Sequence, residues 1–298
     1  MRSQGLAAAA PQAEEPGEHR SLRAIMWARL RRHRVAMAGG VFIVLFVLAA
    51  LAAPLLSPHG PLRTDLQNTL AKPSLTHPFG TDHFGRDVLS RVVHGARISL
   101  LIGVVSVTIG AAGGILLGLV AGYFGGAADT LIMRVVDVML TFPRIMLAIL
   151  LIAIIGTGIA NIMVAVGVFS IPTFARLVRS SVLGLRETEF VEAARAIGNR
   201  HRRVIFRHIF PNTLGPIIVQ FTFLMATSIR VASTLSFLGI GVDPPTPEWG
   251  AMLADARAYM HIAPHLLMIP GLTLMGVVFS LNLFGDGLRD ALDPRLRA

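Results

Sequence analysis

The chain contains 298 residues, of which 53% are hydrophobic and only 15% are charged, and its mean hydropathy is +0.65. Soluble domains carry about 25% charged residues, so this composition indicates a membrane protein. The chain has no cysteine, which excludes disulfides and cysteine-ligated metals. Its single lysine, Lys72, does not lie in a Gly-Lys-Ser/Thr loop, which excludes a P-loop ATP site.

Six apolar segments are long enough to cross a bilayer, which needs about 20 residues per helix. The predicted fold class is therefore all-α, a polytopic membrane protein with spans at about 36–56, 98–124, 131–156, 160–178, 213–240 and 265–284. The first span has an alternative interpretation as a secretory signal, because Ala50-Leu51-Ala52 fits a cleavage site. We favour an uncleaved helix, since a long segment precedes it and the apolar run can span the membrane.

The distribution of basic residues predicts the orientation of the spans. The net charge is +10, and most arginines lie before the first span, between the fourth and fifth spans, and after the sixth. These parts are predicted to be cytoplasmic. We therefore expect a partly disordered cytoplasmic tail at 1–35, the first helix and an extracytoplasmic loop at 36–97, a core at 98–288 with a cytoplasmic loop at 180–211, and a cytoplasmic tail at 289–298. Arginines beside apolar spans indicate contact with lipid, not with nucleic acid.

The second span carries small residues at every fourth position, which places them on one helical face. Such a stripe allows close helix–helix approach, and packing inside the bundle is the favoured interpretation. Lining a substrate path is the alternative. The residues are Ser106, Gly110, Gly114, Gly118, Gly122 and Gly126.

Charged residues at membrane depth are costly and usually face the protein interior or a water-filled cavity. Arg134 and Asp137 lie three residues apart, so a local structural pair is favoured over a substrate contact. Arg230 has no acidic residue within a helical turn, which makes it a candidate for facing the transport pathway.

We expect no catalytic, cofactor or metal site in this chain. His59, His77 and His83 are predicted to be solvated in the extracytoplasmic loop.

Residues 186–212 interrupt the apolar pattern with arginines, glutamates and alanines. A short amphipathic helix is predicted from Glu189, with Phe190, Ala194 and Ile197 on one face. Gly198 provides a stop in the left-handed conformation, a second short helix follows, and Pro211 is expected in the first turn of the next span. Two interpretations remain open from the residues alone: a loop left in water, or a surface on which a partner docks.

Three residues of this loop, Glu192-Ala193-Ala194, followed by Gly198 and Pro211, resemble the EAA motif of ABC importer permeases. The ending "RHIFPN" resembles the dipeptide/oligopeptide/nickel branch, although His208 and Phe210 depart from the general motif. The stretches 77–100, 235–253 and 282–297 also resemble that branch, and the basic segment with one extra helix resembles its second permease subunit. Ala232 stands where the branch often has glutamate, so no role of that glutamate transfers.

The resemblance implies a type I ABC importer permease with six transmembrane helices and no enzyme activity of its own. ATP with Mg would be bound by two cytoplasmic ATPase subunits, and no cofactor by this chain. The other implied partners are a second homologous permease subunit and an extracytoplasmic substrate-binding protein. The implied contacts to the ATPase subunit are Glu189, Glu192, Ala193, Ala194, Gly198 and Pro211. Peptides are the expected cargo, and nickel or another small solute is an alternative; an ATPase-independent channel or secondary transporter is the competing class.

Overall fold

The computed structural model describes residues 30, 31 and 33–292, and there the chain is mostly helical; its longest irregular part is the loop at 57–87, which contains an isolated bridge between Thr81 and Asp87. The N-terminal tail, which is predicted to be partly disordered, and the end of the C-terminal tail lie outside the described residues. The helices are α1 (Arg34–Leu51), α2 (Ala53–Leu56), α3 (Val88–Phe124), α4 (Gly126–Thr141), α5 (Arg144–Ile155), α6 (Ile159–Leu185), α7 (Glu189–Ala196), α8 (His201–Arg203), α9 (Phe210–Phe237), α10 (Trp249–Ala256) and α11 (His265–Leu292).

Five of these helical segments are long and apolar enough to cross a membrane: α1, α3, α6, the run His201–Phe237 and α11. The predicted third span is not one straight helix, because α4 and α5 meet at an angle of 95° and count as a sixth span only together. Pro143 explains the bend. A proline disfavours helical geometry in the residue before it, and Phe142 is extended with φ −81° and ψ 134°.

Helix α3 begins ten residues earlier than the sequence predicted. Asp87 caps it by accepting a hydrogen bond from the Ser90 backbone N–H at 2.8 Å. The predicted start at 98 left Arg91 in the loop, but this arginine lies in α3 and is only 2% exposed. Its Nε lies 3.6 Å from the carboxylate of Asp82, which also accepts a 2.6 Å bond from Arg86 Nε. The first turns of α3 are therefore held by ion pairs inside the protein.

The glycine stripe of α3 packs against α6, as the favoured interpretation predicted. A Cβ atom on Gly110 would lie 2.5 Å from the Ser170 Cβ, and one on Gly118 would lie 2.7 Å from the Ala175 carbonyl oxygen. These distances leave room only for a hydrogen atom. Gly126 is an exception, since it lies beyond the end of α3 and a Cβ there would meet nothing within 4 Å. We call Gly110, Gly114, Gly118 and Gly122 with their α6 contacts the glycine seam.

The first and last long helices run side by side. A Cβ on Gly39 of α1 would lie 2.7 Å from the Ser280 carbonyl oxygen of α11. At one end of this pair, His33 Nε2 lies 3.6 Å from Asp290 Oδ2. The start of α1 and the end of α11 are therefore at the same end of the bundle.

The three histidines of the loop at 57–87 are not solvated as predicted. The His59 and His77 rings are half-buried and stack with centroids 4.7 Å apart, and His77 Nδ1 lies 2.9 Å from Asp87 Oδ1. His83 stacks on Tyr259 at 5.1 Å. The loop thus folds onto the bundle beside the start of α3, at the opposite end from residues 186–212.

Candidate functional site

Helix α7 is amphipathic, but its buried face differs from the prediction. Val191 and Ala194 are buried and form its inner side, and Val191 joins a hydrophobic cluster with Val182 of α6 and Ile209 before α9. Phe190 is 44% exposed and Ile197 is 80% exposed. The predicted face of Phe190, Ala194 and Ile197 was therefore wrong, because Val191 rather than Phe190 faces the bundle with Ala194.

The exposed side of α7 combines acidic and apolar groups. We call this set the α7 outer face; it consists of Glu189, Phe190, Glu192, Ala193 and Ile197. Neither carboxylate has an ion-pair partner among residues 33–292. Both lie in the first turn of the helix, where its dipole stabilises negative charge. Exposed large apolar side chains grouped with unpaired charges are typical of an interaction surface.

Gly198 adopts the left-handed conformation that the sequence predicted, with φ +76°. Its backbone N–H donates to the Arg195 carbonyl oxygen at 2.9 Å, and the Asn199 side chain donates to the Ala194 carbonyl oxygen at the same distance. A Cβ on Gly198 would meet nothing within 4 Å, so the backbone angle rather than crowding requires glycine here. This turn separates α7 from α8.

Pro211 does not begin a separate helix. The chain runs from α8 through a π-helical segment, Val204–Ile209, directly into α9, and Pro211 lies in the first turn after that segment. A proline has no N–H to donate to the preceding turn. The wider π-helical turn is a common way to accommodate an irregularity inside a helix. Pro211 is exposed.

Tyr123, at the end of the glycine seam, contacts both α7 and α8 from α3, a role that the sequence analysis did not predict. Its hydroxyl lies 2.8 Å from His201 Nδ1, and the Arg195 guanidinium lies 4.9 Å from its ring centroid. Nearby, Arg186 donates to the Gly122 carbonyl oxygen at 3.3 Å. Tyr123 is only 7% exposed. Helices α7 and α8 are thus attached to the last turn of α3, although 78 residues separate Tyr123 from His201.

The predicted local pair between Arg134 and Asp137 does not form. Asp137 instead accepts a 2.6 Å hydrogen bond from Arg176 of α6. One turn further along α6, Arg179 makes two bonds of 2.5 and 2.6 Å to the Asp129 carboxylate. Arg176 on the neighbouring helix therefore replaces Arg134, the partner that the sequence spacing had allowed. These bonds attach α4 to α6.

Arg230 lies far from the other predicted site residues. It is exposed on α9, and it has no ion-pair partner in the described part of the chain. At 1.5 Å of rise per residue, it lies about 28 Å along the helix from Pro211. The predicted site residues therefore lie in two regions at different depths along the helix bundle: residues 189–211 at one end, and Arg230 nearer the other end.

One group of side chains within 33–292 has the composition of a metal site: His59, His77 and Asp87, with candidate ligand atoms within 4.8 Å of one another. The two imidazole planes are inclined by only 27°. Nearly parallel rings direct their in-plane lone pairs alongside each other rather than towards a common point. Because His77 already bonds to Asp87, we interpret this group as part of the folded loop.

Comparison with known proteins identifies the family. Residues 114–298 match the family described as "Binding-protein-dependent transport system inner membrane component", and residues 21–73 match the "N-terminal TM domain of oligopeptide transport permease C". A dipeptide transport system permease protein of Alkalihalophilus pseudofirmus is 47% identical over 270 residues, covering 91% of this chain and 89% of that protein. A glutathione transport system permease protein of Escherichia coli is 48% identical over 272 residues, covering 91% and 90%.

A solved structure gives the same fold. The methionine ABC transporter in an inward-facing conformation aligns with a TM-score of 0.54 at 21% identity, covering 68% of this chain and 96% of the matched chain. The expected type I permease fold is therefore confirmed, and an ATPase-independent channel or secondary transporter is excluded. The chain is a multi-pass membrane permease subunit of an ATP-binding cassette importer, whose ATP hydrolysis occurs in separate subunits, and it belongs to the family of binding-protein-dependent transport system inner membrane components.

Proposed function

We propose that this chain forms one half of the translocation pathway of a peptide importer and that the α7 outer face binds a cytoplasmic ATPase subunit. The observation that carries the proposal is the composition of that face. Two carboxylates with no ion-pair partner among residues 33–292 and two exposed apolar side chains, with Ala193 between them, project from the 8-residue helix α7 and its cap Ile197. The small side chain permits close approach, and the charges set the register of the docked partner.

The attachment of α7 supports a role in transmitting movement. Its inner side packs on membrane helices through Val191 and Ala194, and Arg195 reaches the Tyr123 ring. A displacement of α7 would therefore act on α3 and on the run His201–Phe237. For ATP to drive transport, the ATPase subunit must bind this face differently in its two states, since equal binding shifts no equilibrium.

Peptides are the proposed cargo because the relatives named above belong to dipeptide and glutathione systems. Glutathione is itself a tripeptide, so the two names share one chemical class. The proposed assembly contains a second homologous permease subunit, two ATPase subunits that bind ATP with Mg, and an extracytoplasmic substrate-binding protein.

We also propose that the chain lies in the bacterial cytoplasmic membrane with both termini in the cytoplasm. Two observations support this orientation: the contact between His33 and Asp290, and the basic residues at 186–212. Residues 1–35, 180–211 and 289–298 would then be cytoplasmic, and the loop within 36–97 would face outward. Residues 98–288 would form the core, which includes the cytoplasmic loop at 180–211.

Two substitutions test the docking role: Glu192→Lys reverses a charge of the outer face, and Gly198→Asp adds a side chain where φ is +76°. In the complete importer, we expect both to abolish uptake and co-purification of the ATPase subunits while membrane insertion is unchanged. Gly239→Asp, where φ is +81°, and Asp243→Lys make the same changes at exposed positions at the opposite end, and they should retain the ATPase subunits. Wild-type uptake in both Glu192→Lys and Gly198→Asp would refute the docking role.

A further inference from the structure

Helix α9 carries a stripe of polar residues along one face. Successive members are three or four residues apart, so they fall within about 80° of arc on a helix that turns 100° per residue. Two of its members, Pro216 and Phe223, are apolar. We call this set the α9 polar face; its residues are Asn212, Pro216, Gln220, Phe223, Thr227, Arg230 and Thr234.

This face is open, whereas other positions of α9 pack into the bundle. Ile217, Leu224 and Ile229 are at most 6% exposed. Every member of the polar face is exposed or half-buried. Asn212, Pro216, Gln220 and Phe223 also line a cavity of about 810 Å³ between α6, α9 and α11. The polar face therefore continues from this cavity towards the other end of the membrane helix.

Arg230 is the only charged side chain on this face. It lies seven residues before the end of α9, which is about 10 Å along the axis. The arginines of α6 described above are satisfied by aspartates: Arg176 by Asp137 and Arg179 by Asp129. Arg230 has no such partner in residues 33–292. An unpaired guanidinium facing lipid is costly, so a position on a hydrated path explains it better.

The neighbours of Arg230 can bind amides. The Thr227 and Thr234 hydroxyls donate to carbonyl oxygens one turn earlier, at 3.0 and 2.9 Å, so each oxygen can still accept a hydrogen bond. Gln220 offers both donors and acceptors. A guanidinium binds a carboxylate through two parallel hydrogen bonds.

We infer that the α9 polar face lines the transport pathway and that Arg230 binds the carboxylate of the substrate as it passes. The substrate class is thus a small amide-containing solute with a free carboxylate, such as a peptide with an unmodified C-terminus, and not a metal cation. This inference rests on the proposed function, since it requires the chain to form the pathway of an importer. It adds the residue and the chemical group by which the permease itself selects cargo.

The test uses the complete importer in proteoliposomes, with saturating binding protein and a dipeptide carrying either a free C-terminus or a C-terminal carboxamide. We expect Arg230→Gln to lower uptake of the free dipeptide by about tenfold, the cost of one hydrogen bond to a charged group. Uptake of the carboxamide should change less than about twofold. Arg230→Lys should be intermediate, because it keeps the charge but not the two parallel bonds. ATPase stimulation by loaded binding protein should persist in both variants.

The matched control is Arg257→Gln, which removes an exposed arginine outside α9 and should leave both uptakes unchanged. If the binding protein rejects the carboxamide, Arg230→Glu replaces that arm: uptake of the free dipeptide should fall below that of Arg230→Gln because like charges repel. Unchanged uptake in Arg230→Gln, or equal losses for the two dipeptides, would overturn the inference. Absence of ATP-dependent uptake by the wild-type importer would instead contradict the proposed function.

Discussion

At Gly114, the helices α3 and α6 approach so closely that a Cβ atom would lie 2.5 Å from the Phe174 Cβ and 2.6 Å from the Ile171 carbonyl oxygen. We expect Gly114→Ala to destabilise the protein by about 1–3 kcal/mol, the usual cost of forcing an extra group into a packed interior. The adjacent Gly113 is the control, since its Cβ would meet only the movable side chain of Ile171, with Cδ1 nearest at 3.2 Å. In detergent, the midpoint of thermal unfolding should fall clearly for Gly114→Ala but not for Gly113→Ala. Equal midpoints for the two variants would contradict the packing argument.

Residue roles were predictable where they depend on local geometry. The glycine stripe followed from four-residue spacing, and the left-handed Gly198 followed from its position after an amphipathic run. The bond between Tyr123 and His201 was not predictable, because nothing in one sequence indicates which distant residues meet. Asp137 illustrates the same limit, since a local partner was available and Arg176 of another helix bonds to it instead.

At the scale of helices, Tyr123 connects α3 to α7 and α8. Tyr123→Phe removes the hydroxyl bonded to His201 but retains the ring beneath Arg195. A hydrogen bond of this kind contributes about 1 kcal/mol, so we expect the number of substrates moved per ATP to fall by about fivefold. The measurement is the ratio of uptake to ATP hydrolysis in proteoliposomes.

The other tyrosine of the chain provides the control for this prediction. Tyr259 stacks on His83 at the opposite end, so Tyr259→Phe keeps the stacking ring and should leave the ratio unchanged. His201→Phe should reproduce the effect of Tyr123→Phe, and combining the two should add little, because both remove the same bond. An unchanged ratio in Tyr123→Phe would exclude this bond from energy transmission.

The sequence predicted which segments are helical better than it predicted where they begin, end or bend. Apolar length identified the spans, because each must bury about 20 residues in lipid. Pro143 marks a bend that counting apolar residues did not reveal. Pro211 lies in the first turn of α9 as predicted, but a π-helical segment joins α9 to α8 without a break. The early start of α3 was missed since the charge of Arg91 is neutralised by Asp82, a contact outside the helix.

For the whole molecule, orientation can be tested directly because the chain contains no cysteine. Leu75 in the 57–87 loop and Ile197 on the α7 outer face are both highly exposed and lie at opposite ends. In cells whose outer layers are permeabilised but whose cytoplasmic membrane is intact, a membrane-impermeant maleimide should label Leu75→Cys and not Ile197→Cys. Inverted membrane vesicles prepared without the ATPase subunits, which would otherwise cover Ile197, should give the opposite pattern. Labelling of Ile197→Cys from outside would reverse the proposed orientation.

The glycine seam also limits how this subunit can change shape. Along the seam, backbone atoms of α3 and α6 are separated by little more than hydrogen atoms, so a translation of one helix past the other would produce collisions within a fraction of a turn. The two helices must therefore travel together as a single rigid body. A change in the width of the pathway must therefore occur at other helix contacts, where longer side chains can change rotamer. These are the contacts of α9 with α11 and those of the bent pair α4–α5.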